Sequence, residues 1–296
     1  MTILRSFYTM FKLMRVHQYV KNGFILLPLF FAARITHWPL LLNALFAFVA
    51  FSICASALYI FNDIQDVNED RLHPKKCKRP LAAGEISIKA ASLLAVLLLG
   101  LGLTVMWFCS ERAFFILVFY LILNAAYCVY LKHIPIMDIS IIAMGFVMRL
   151  FVGSFCTDVP LSMWIVVMTF LLALFLALAK RRDDVLIFNE TGKKMRKVVD
   201  GYNLTFVNNA MVLMAAVVIV AYLQYTTSPE VRERLHSDYL YLTAVFVVLG
   251  ILRYLQLAFV HGQTGSPTRV LLRDLFLQLI LAGWLISFGV ILYWKI

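Results

Sequence analysis

The stretch YIFNDIQDVNEDRLHPKKCKRPLAAGEIS, Tyr59–Ser87, decides how the rest of the chain is read. It opens on the end of a long apolar run. Four acids then fall within eight residues, Asp63 to Asp70, and five bases within the next nine, Arg71 to Arg79. Why a chain this apolar places so dense a block of charge at the end of a hydrophobic helix is answered by its surroundings.

Working outward, 62% of the 296 residues are hydrophobic and 15% are charged. An ordinary soluble domain is about 45–50% apolar and about 25% charged. Windows of roughly 20 apolar residues, the length that crosses a bilayer as a helix, recur along almost the whole chain. They predict nine spans, near residues 20–34, 39–61, 88–108, 113–131, 135–155, 161–179, 204–225, 238–260 and 270–294. The period-2 alternation of barrel strands is absent. The expected fold is all-α: one polytopic membrane domain over residues 1–296.

Bases concentrate in alternate connections: Arg5, Lys12, Arg15 and Lys21, then Arg71 to Arg79, Lys132, Lys180 to Lys197, and Arg269 with Arg273. The positive-inside rule places the N-terminus in the cytoplasm, and nine spans then put the C-terminus outside. Segment 226–237 departs from the pattern, because Glu230 and Glu233 balance Arg232 and Arg234. Within the N-terminal segment 1–19, Leu4, Phe7, Phe11 and Met14 recur at helical spacing between bases. That pattern reads as a helix lying on an anionic leaflet, with a frayed basic tail as the alternative. No short apolar core with a small-residue cleavage site precedes the first span. The five cysteines show no paired spacing, so neither a disulfide framework nor a zinc site is expected. A net charge of +11 suits anionic lipid or an anionic substrate. Nucleic acid is not expected as a partner, because the bases lie in separate short loops.

Continued as a helix past Phe61, the chain places Asp63, Asp66 and Asp70 at i, i+3, i+7 on one face, with Asn62 four before Asp66. Carboxylates so close repel one another, and the helix dipole prefers cations at that end. A divalent cation relieves both, and an all-oxygen ligand set suits Mg²⁺. The following Lys75, Lys76, Lys78 and Arg79 suit a phosphate or diphosphate; read alone, they would serve as a leaflet anchor. A second concentration, Lys180, Arg181, Arg182, Asp183 and Asp184 through Lys197 to Asp200, follows the sixth span. Loops 62–87 and 180–203 are thus expected to carry the site and to face each other across one cavity mouth. Asn124 and Tyr127 on the fourth span, and Asp138 and Arg149 on the fifth, are intramembrane polar candidates. Asp138 could instead complement a helix N-terminus.

The segment Asn62, Asp63, Asp66, Asp70, Arg71, His73, Pro74 resembles the first aspartate-rich motif of the UbiA superfamily of intramembrane prenyltransferases. With Arg79-Pro80-Leu81-Ala82-Ala83-Gly84 it is most similar to the decaprenyl-phosphate phosphoribosyltransferase branch, which shows N-D-x-x-D-x-x-x-D-R-x-H-P and then R-P-[IL]-A-A-G. MRVHQYVKN resembles that branch's opening R-P-x-Q-W-V-K-N through Gln18, Val20, Lys21 and Asn22. LALAKRRDDV with RKVVDGY, ending at Tyr202, resembles K-R-x-x-E-L and R-K-V-L-x-x-Y, with Asp184 where Glu is usual. SPTRVLLRDLFL resembles a C-terminal P-E-x-[VL]-x-x-D-x-x-L, with Thr268 for Glu. The resemblance implies nine transmembrane helices around a lipid-open cavity in a bacterial inner membrane. It implies Mg²⁺-dependent transfer of phosphoribose from phosphoribosyl pyrophosphate to a polyprenyl phosphate. Asp63, Asp66 and Asp70 would be metal ligands. The substrate-binding candidates are Lys21, Asn22, Asn62, Arg71, His73, Lys78, Arg79, Tyr127, Asp138, Arg149, Lys180, Arg181, Arg182, Asp184, Lys197 and Tyr202. The alternative is the wider superfamily activity, prenyl transfer from a prenyl diphosphate to an aromatic ring. Such enzymes carry a second D-x-x-x-D motif, whereas here Ile187 and Phe188 stand four residues after Asp183 and Asp184. A non-catalytic lipid-phosphate transporter would want charge through the membrane, not at one face. The sequence leaves the oligomeric state open, a homo-oligomer included.

Overall fold

The computed structural model of the protein describes residues 2–72, 76–192, 197–262 and 267–294. No strand occurs among them. The chain begins with α1 (Thr2–Met14), a 3-10 segment (Val16–Leu26) and the short α2 (Leu27–Phe31). Then follow α3 (Trp38–Gln65), α4 (Val67–Leu72), α5 (Ile88–Cys109), α6 (Glu111–Val129) and α7 (Met137–Thr157). The remainder comprises α8 (Met163–Thr191), α9 (Leu204–Thr227), α10 (Pro229–Leu235), α11 (Ala244–Phe259), α12 (Pro267–Arg273) and α13 (Leu275–Trp294). Among the described residues, 8 helices are long and apolar enough to cross a membrane: α3, α5 to α9, α11 with its preceding turn, and α13. The chain forms two compact units, Met1–Leu131 with Met148–Leu161, and Lys132–Val147 with Ser162–Ile296.

In the first unit α3 is the central element. Ala44, Ala47, Ala50, Phe51, Cys54, Ala55, Ala57 and Ile60 are all buried along it. Its many small side chains let neighbouring backbones approach closely, the usual way apolar helices associate in lipid. Ser87 starts α5 and Ser110 starts α6, each accepting a hydrogen bond from the backbone N–H three residues on. Leu93, Val96, Leu97 and Leu101 of α5 and Phe115, Phe119 and Ile122 of α6 point outward, exposed. Such a continuous apolar exterior requires hydrocarbon around it.

Eight of the nine expected spans have a long apolar helix among the described residues; the first expected one does not. Residues 20–34 do not form a long α-helix; the 3-10 segment and α2 take their place. At about 2.0 Å per residue, the 11 residues of the 3-10 segment reach about 22 Å, and α2 adds about 7 Å. Few residues thus cover a distance comparable to the hydrocarbon thickness of about 30 Å. The reason for the unusual winding lies in α3. Tyr19 Oη and Ser56 Oγ are 2.8 Å apart, and Asn22 Nδ2 donates to Ser52 Oγ at 2.8 Å. The pairing steps by three residues on one side and by four on the other. Three 3-10 residues and four α-helical residues each rise about 6 Å, so the two rows stay in register. Ile25, the next in the row, is fully buried and passes α7 at Gly153, where a methyl would overlap the Ile25 carbonyl oxygen.

The second unit is built on α8 and α9, with Phe175, Leu178, Val207, Met211, Ala215, Ile251 and Leu257 in its core. Here too an expectation shifts. The sixth span was expected to end near 179, yet α8 continues to Thr191, closed by Gly192 in the left-handed region. The bases from Lys180 to Arg182 therefore stand on a helix and not in a loop.

Candidate functional site

The first acidic cluster belongs to the first unit. As expected, α3 continues past Phe61, but only to Gln65; the backbone leaves the helix at Asp66 and restarts as α4. That break re-aims Asp70. Asp63 and Asp70 are 2% and 1% exposed, and both carboxylates reach one nitrogen: Arg79 Nη1 lies 3.0 Å from Asp63 Oδ1 and 2.5 Å from Asp70 Oδ2. Arg15 also donates to Asp63 Oδ1 and lies over the Tyr59 ring, 5.0 Å from its centroid. Lys76 Nζ is 3.5 Å from Asp70 Oδ1, which accepts no hydrogen bond. Asp66 turns instead to Asn62, whose Nδ2 donates to it at 3.1 Å. Three acidic, His or Cys side chains do not converge into a metal-binding group among the described residues.

The R-P-L-A-A-G run explains how Arg79 arrives. Leu81, 3% exposed, plugs into a cluster with Leu13, Ala57, Ile60 and Ala91. The turn around it is closed by Ala83 N–H to Arg79 O at 2.8 Å and Glu85 N–H to Pro80 O at 2.9 Å. Gly84 ends it at φ 74, a conformation that favours glycine. The apolar anchor thereby aims the guanidinium two residues before it at the acids.

The 3-10 winding also sorts the N-terminal candidates. An α-helix would put Gln18, Lys21 and Asn22 on one face; three residues per turn align Gln18 with Lys21 and turn Asn22 away. Asn22 is 2% exposed and bridges Ser52 to Arg149, whose Nε donates to Asn22 Oδ1 at 2.8 Å. Arg149 also donates to Tyr120 Oη at 3.1 Å and stacks over Phe51 and Tyr120, 4.7 and 5.1 Å from their centroids. Lys21 is half-buried, makes no ion pair or hydrogen bond among the described residues, and is repelled by Arg149 and Arg15. Arg15, read from sequence as a leaflet anchor, is the residue whose part was missed. Its signal was its place at the head of the R-x-x-Q-x-V-K-N pattern.

The second cluster lies within the second unit. Arg181, 1% exposed, donates from Nε to Asp138 Oδ2 at 2.5 Å and from Nη1 to Asp184 Oδ2 at 2.6 Å. Tyr202 Oη donates to Asp138 Oδ1 at 2.6 Å and accepts from the Ile136 N–H at 2.7 Å. Burial first, and then the bond to Asp138, pushes the Tyr202 phenol well up. Arg182 donates from Nε to Asn208 Oδ1 at 2.9 Å and lies over the Phe259 ring. Lys180 and Tyr127 are half-buried, Arg71 and Lys78 exposed, and Asn124 donates to the Tyr120 carbonyl at 2.8 Å. His73 and the side chain of Lys197 lie outside the described residues.

Comparison with known proteins agrees with this architecture. The model of the UbiA prenyltransferase family matches residues 23–280. The decaprenyl-phosphate phosphoribosyltransferase of Mycolicibacterium smegmatis is 31% identical over 255 residues, covering 84% of this chain and 80% of that protein. Its namesake from Mycobacterium tuberculosis is 30% identical over 282 residues, covering 94% and 92%. A solved UbiA homolog from Archaeoglobus fulgidus bound to DMAPP and Mg²⁺ superposes with a TM-score of 0.70 at 18% identity, covering 96% of this chain and 99% of that one. The chain is therefore an integral membrane transferase that belongs to the UbiA prenyltransferase family.

Proposed function

We propose that the protein transfers 5-phosphoribose from phosphoribosyl pyrophosphate to a polyprenyl phosphate, with Mg²⁺, at the cytoplasmic face of a bacterial membrane. The observation that carries the proposal is the buried pair Asp63 and Asp70, gathered on Arg79 beside Arg15 and Lys76. Mg²⁺ is commonly bound by one or two carboxylates together with substrate phosphates. Asp63 and Asp70 fit that pattern, and Asp70 Oδ1 keeps an oxygen that accepts no hydrogen bond. Bound there, the ion would supply neutralisation of the charge that develops on departing pyrophosphate.

The chain's own residues do the rest. Arg79 and Lys76 neutralise the two carboxylates until substrate arrives and then hold phosphate oxygens. A phosphate oxygen of the lipid bonds to the anomeric carbon as the bond from that carbon to pyrophosphate breaks, and the electron pair leaves with pyrophosphate. That nucleophile is ionised near neutral pH, so no general base is assigned. Lys21, a cation between two others, is suited to a phosphate oxyanion. Arg181, Asp138, Asp184 and Tyr202 satisfy one another, and we assign them the positioning of α8.

Phosphoribosyl transfer is favoured over prenyl transfer to an aromatic ring because Asp184 is already paired with Arg181 and no second acid stands four residues on. The test supplies purified enzyme with Mg²⁺, phosphoribosyl pyrophosphate and a polyprenyl phosphate, and in parallel with geranyl diphosphate and 4-hydroxybenzoate. Mass spectrometry should find a phosphoribosyl lipid. Prenylated benzoate without that lipid would overturn the proposal.

A further inference from the structure

Tyr59 has no part in the aspartate motif or in the steps above, yet it stands against the acidic cluster. It precedes Asp63 by four residues, so it shares that residue's face of α3, one turn deeper in the bilayer. Its half-buried ring lies under the Arg15 guanidinium, 5.0 Å from carbon to centroid, and the same guanidinium donates to Asp63 Oδ1. The stacking holds the ring, while the hydroxyl makes no hydrogen bond among the described residues. Tyr59 also lies in the field of Arg149 and of Tyr120, whose hydroxyl accepts from Arg149 at 3.1 Å. Lys21 feels the same two arginines, Arg15 and Arg149. The Tyr59 hydroxyl thus shares with Lys21 the stretch of the first unit that runs from the Asp63 cluster down to Arg149.

The chemistry of that stretch says what a neutral hydroxyl is for. With pyrophosphate at Asp63, Asp70 and Arg79 and the lipid phosphate at Lys21, the anomeric carbon lies between them, because it is bonded to each in turn. The group beside that interval meets the sugar and not a phosphate. A phenol donates one hydrogen bond and accepts others, which matches a sugar hydroxyl that does the same. It also places no cation beside a carbon that becomes electron-poor as pyrophosphate departs, as a further lysine or arginine would. Ring packing under Arg15 fixes the hydroxyl in advance, so little freedom is lost when it pairs.

We propose that Tyr59 is the residue that recognises the sugar of the donor, its hydroxyl pairing with a ribose hydroxyl of phosphoribosyl pyrophosphate. The assignment rests on the reaction proposed above and deepens it. A prenyl diphosphate carries no hydroxyl and leaves the phenol without a partner, so the same residue favours a sugar donor over an isoprenoid one.

The experiment is equilibrium binding to the full-length protein in detergent with Mg²⁺ and without polyprenyl phosphate. One arm uses phosphoribosyl pyrophosphate and the other inorganic pyrophosphate, which has the same leaving group and no sugar. Tyr59→Phe removes one oxygen and keeps the ring under Arg15, so the ligand-free melting temperature should hold. The variant should bind phosphoribosyl pyrophosphate about threefold to tenfold more weakly, the loss expected of one neutral hydrogen bond. It should bind pyrophosphate as the wild type does. That split is what a merely structural tyrosine cannot produce, since loss of packing would weaken both ligands together. Equal weakening of both, or a variant that binds both as the wild type does, would overturn the role of Tyr59 and leave the proposed reaction standing. A wild type that binds phosphoribosyl pyrophosphate no more tightly than pyrophosphate would refute the sugar donor itself, and the role of Tyr59 with it.

Discussion

Replacing Asn22 by Leu separates a packing role from a substrate contact. Leu keeps the branched four-atom outline of Asn with bulkier ends, so no cavity opens at this 2% exposed position. What disappears is the bridge: the bond accepted from Arg149 Nε at 2.8 Å and the bond donated to Ser52 Oγ at 2.8 Å. A hydrogen bond to a charged group is worth about 1.5–3 kcal/mol and a neutral one about 0.5–1.5 kcal/mol. Together the loss is about 2–4 kcal/mol, partly offset by burying an apolar side chain. For a chain of this size each kcal/mol moves the melting temperature by about 2–4 °C, so a fall of roughly 5–10 °C is expected. Tryptophan fluorescence in detergent at one fixed scan rate would read it, since membrane-protein unfolding is commonly irreversible. The donor KM should stay within about threefold of wild type. A melting temperature within about 2 °C of wild type, together with a KM raised about tenfold, would refute the reasoning and make the Asn22 amide a substrate contact.

Spacing alone makes Asp70 the milder of the acidic positions, but the shared Arg79 makes it the equal of Asp63. Asp63→Asn and Asp70→Asn should each cut turnover on the order of 100-fold and raise the Mg²⁺ needed for half-activity; a near-normal Asp70→Asn enzyme would remove Asp70 from the site. Lys21→Met keeps the apolar stem and relieves repulsion from Arg15 and Arg149, so the melting temperature should hold or rise while activity falls strongly. Wild-type turnover by that variant would leave Lys21 an anchor. Tyr202→Phe strips Asp138 and the Ile136 N–H of a partner and should cost about 2–4 kcal/mol, read as a lower melting temperature. Because the folded phenol titrates above its ordinary value, its contribution is complete below that value and is lost only as pH rises beyond it. A wild-type-minus-variant stability difference that changes between pH 6 and 8 would count against that assignment.

Hydropathy located the eight long helices because a lipid-facing segment must be apolar throughout its length, and the dense charge marked where α3 reaches water. The acids and Arg79 were legible as a motif, since the R-P-L-A-A-G turn is local: Leu81 anchors it and Gly84 closes it within a few residues. What remained hidden depends on pairing between distant segments. The 3-10 winding of Val16–Leu26 is chosen by Ser52 and Ser56, some 30 residues further along, and no local propensity announces it. The winding in turn decided that Asn22 faces inward and Lys21 does not. Arg15 looked like one more juxtamembrane base because its carboxylate partner, Asp63, is 48 residues away. In the second unit, Arg181 and Arg182 are neighbours of the same type. Only the positions of Asp138, Asn208 and Phe259 make one saturated and the other not.

The seam between the 3-10 segment and α3 works like a vernier, two scales of different pitch that coincide at fixed intervals. Coincidence returns about every 6 Å along the axis, once for each Tyr19–Ser56 or Asn22–Ser52 rung. Between those positions the pairing is lost. Sliding of the N-terminal segment along α3 is thus quantised: it stays put or moves by a whole rung. The depth of Lys21 and the reach of Arg15 are set in discrete steps, not along a continuum. Drift of the N-terminal segment partway along α3 would break both rungs at once.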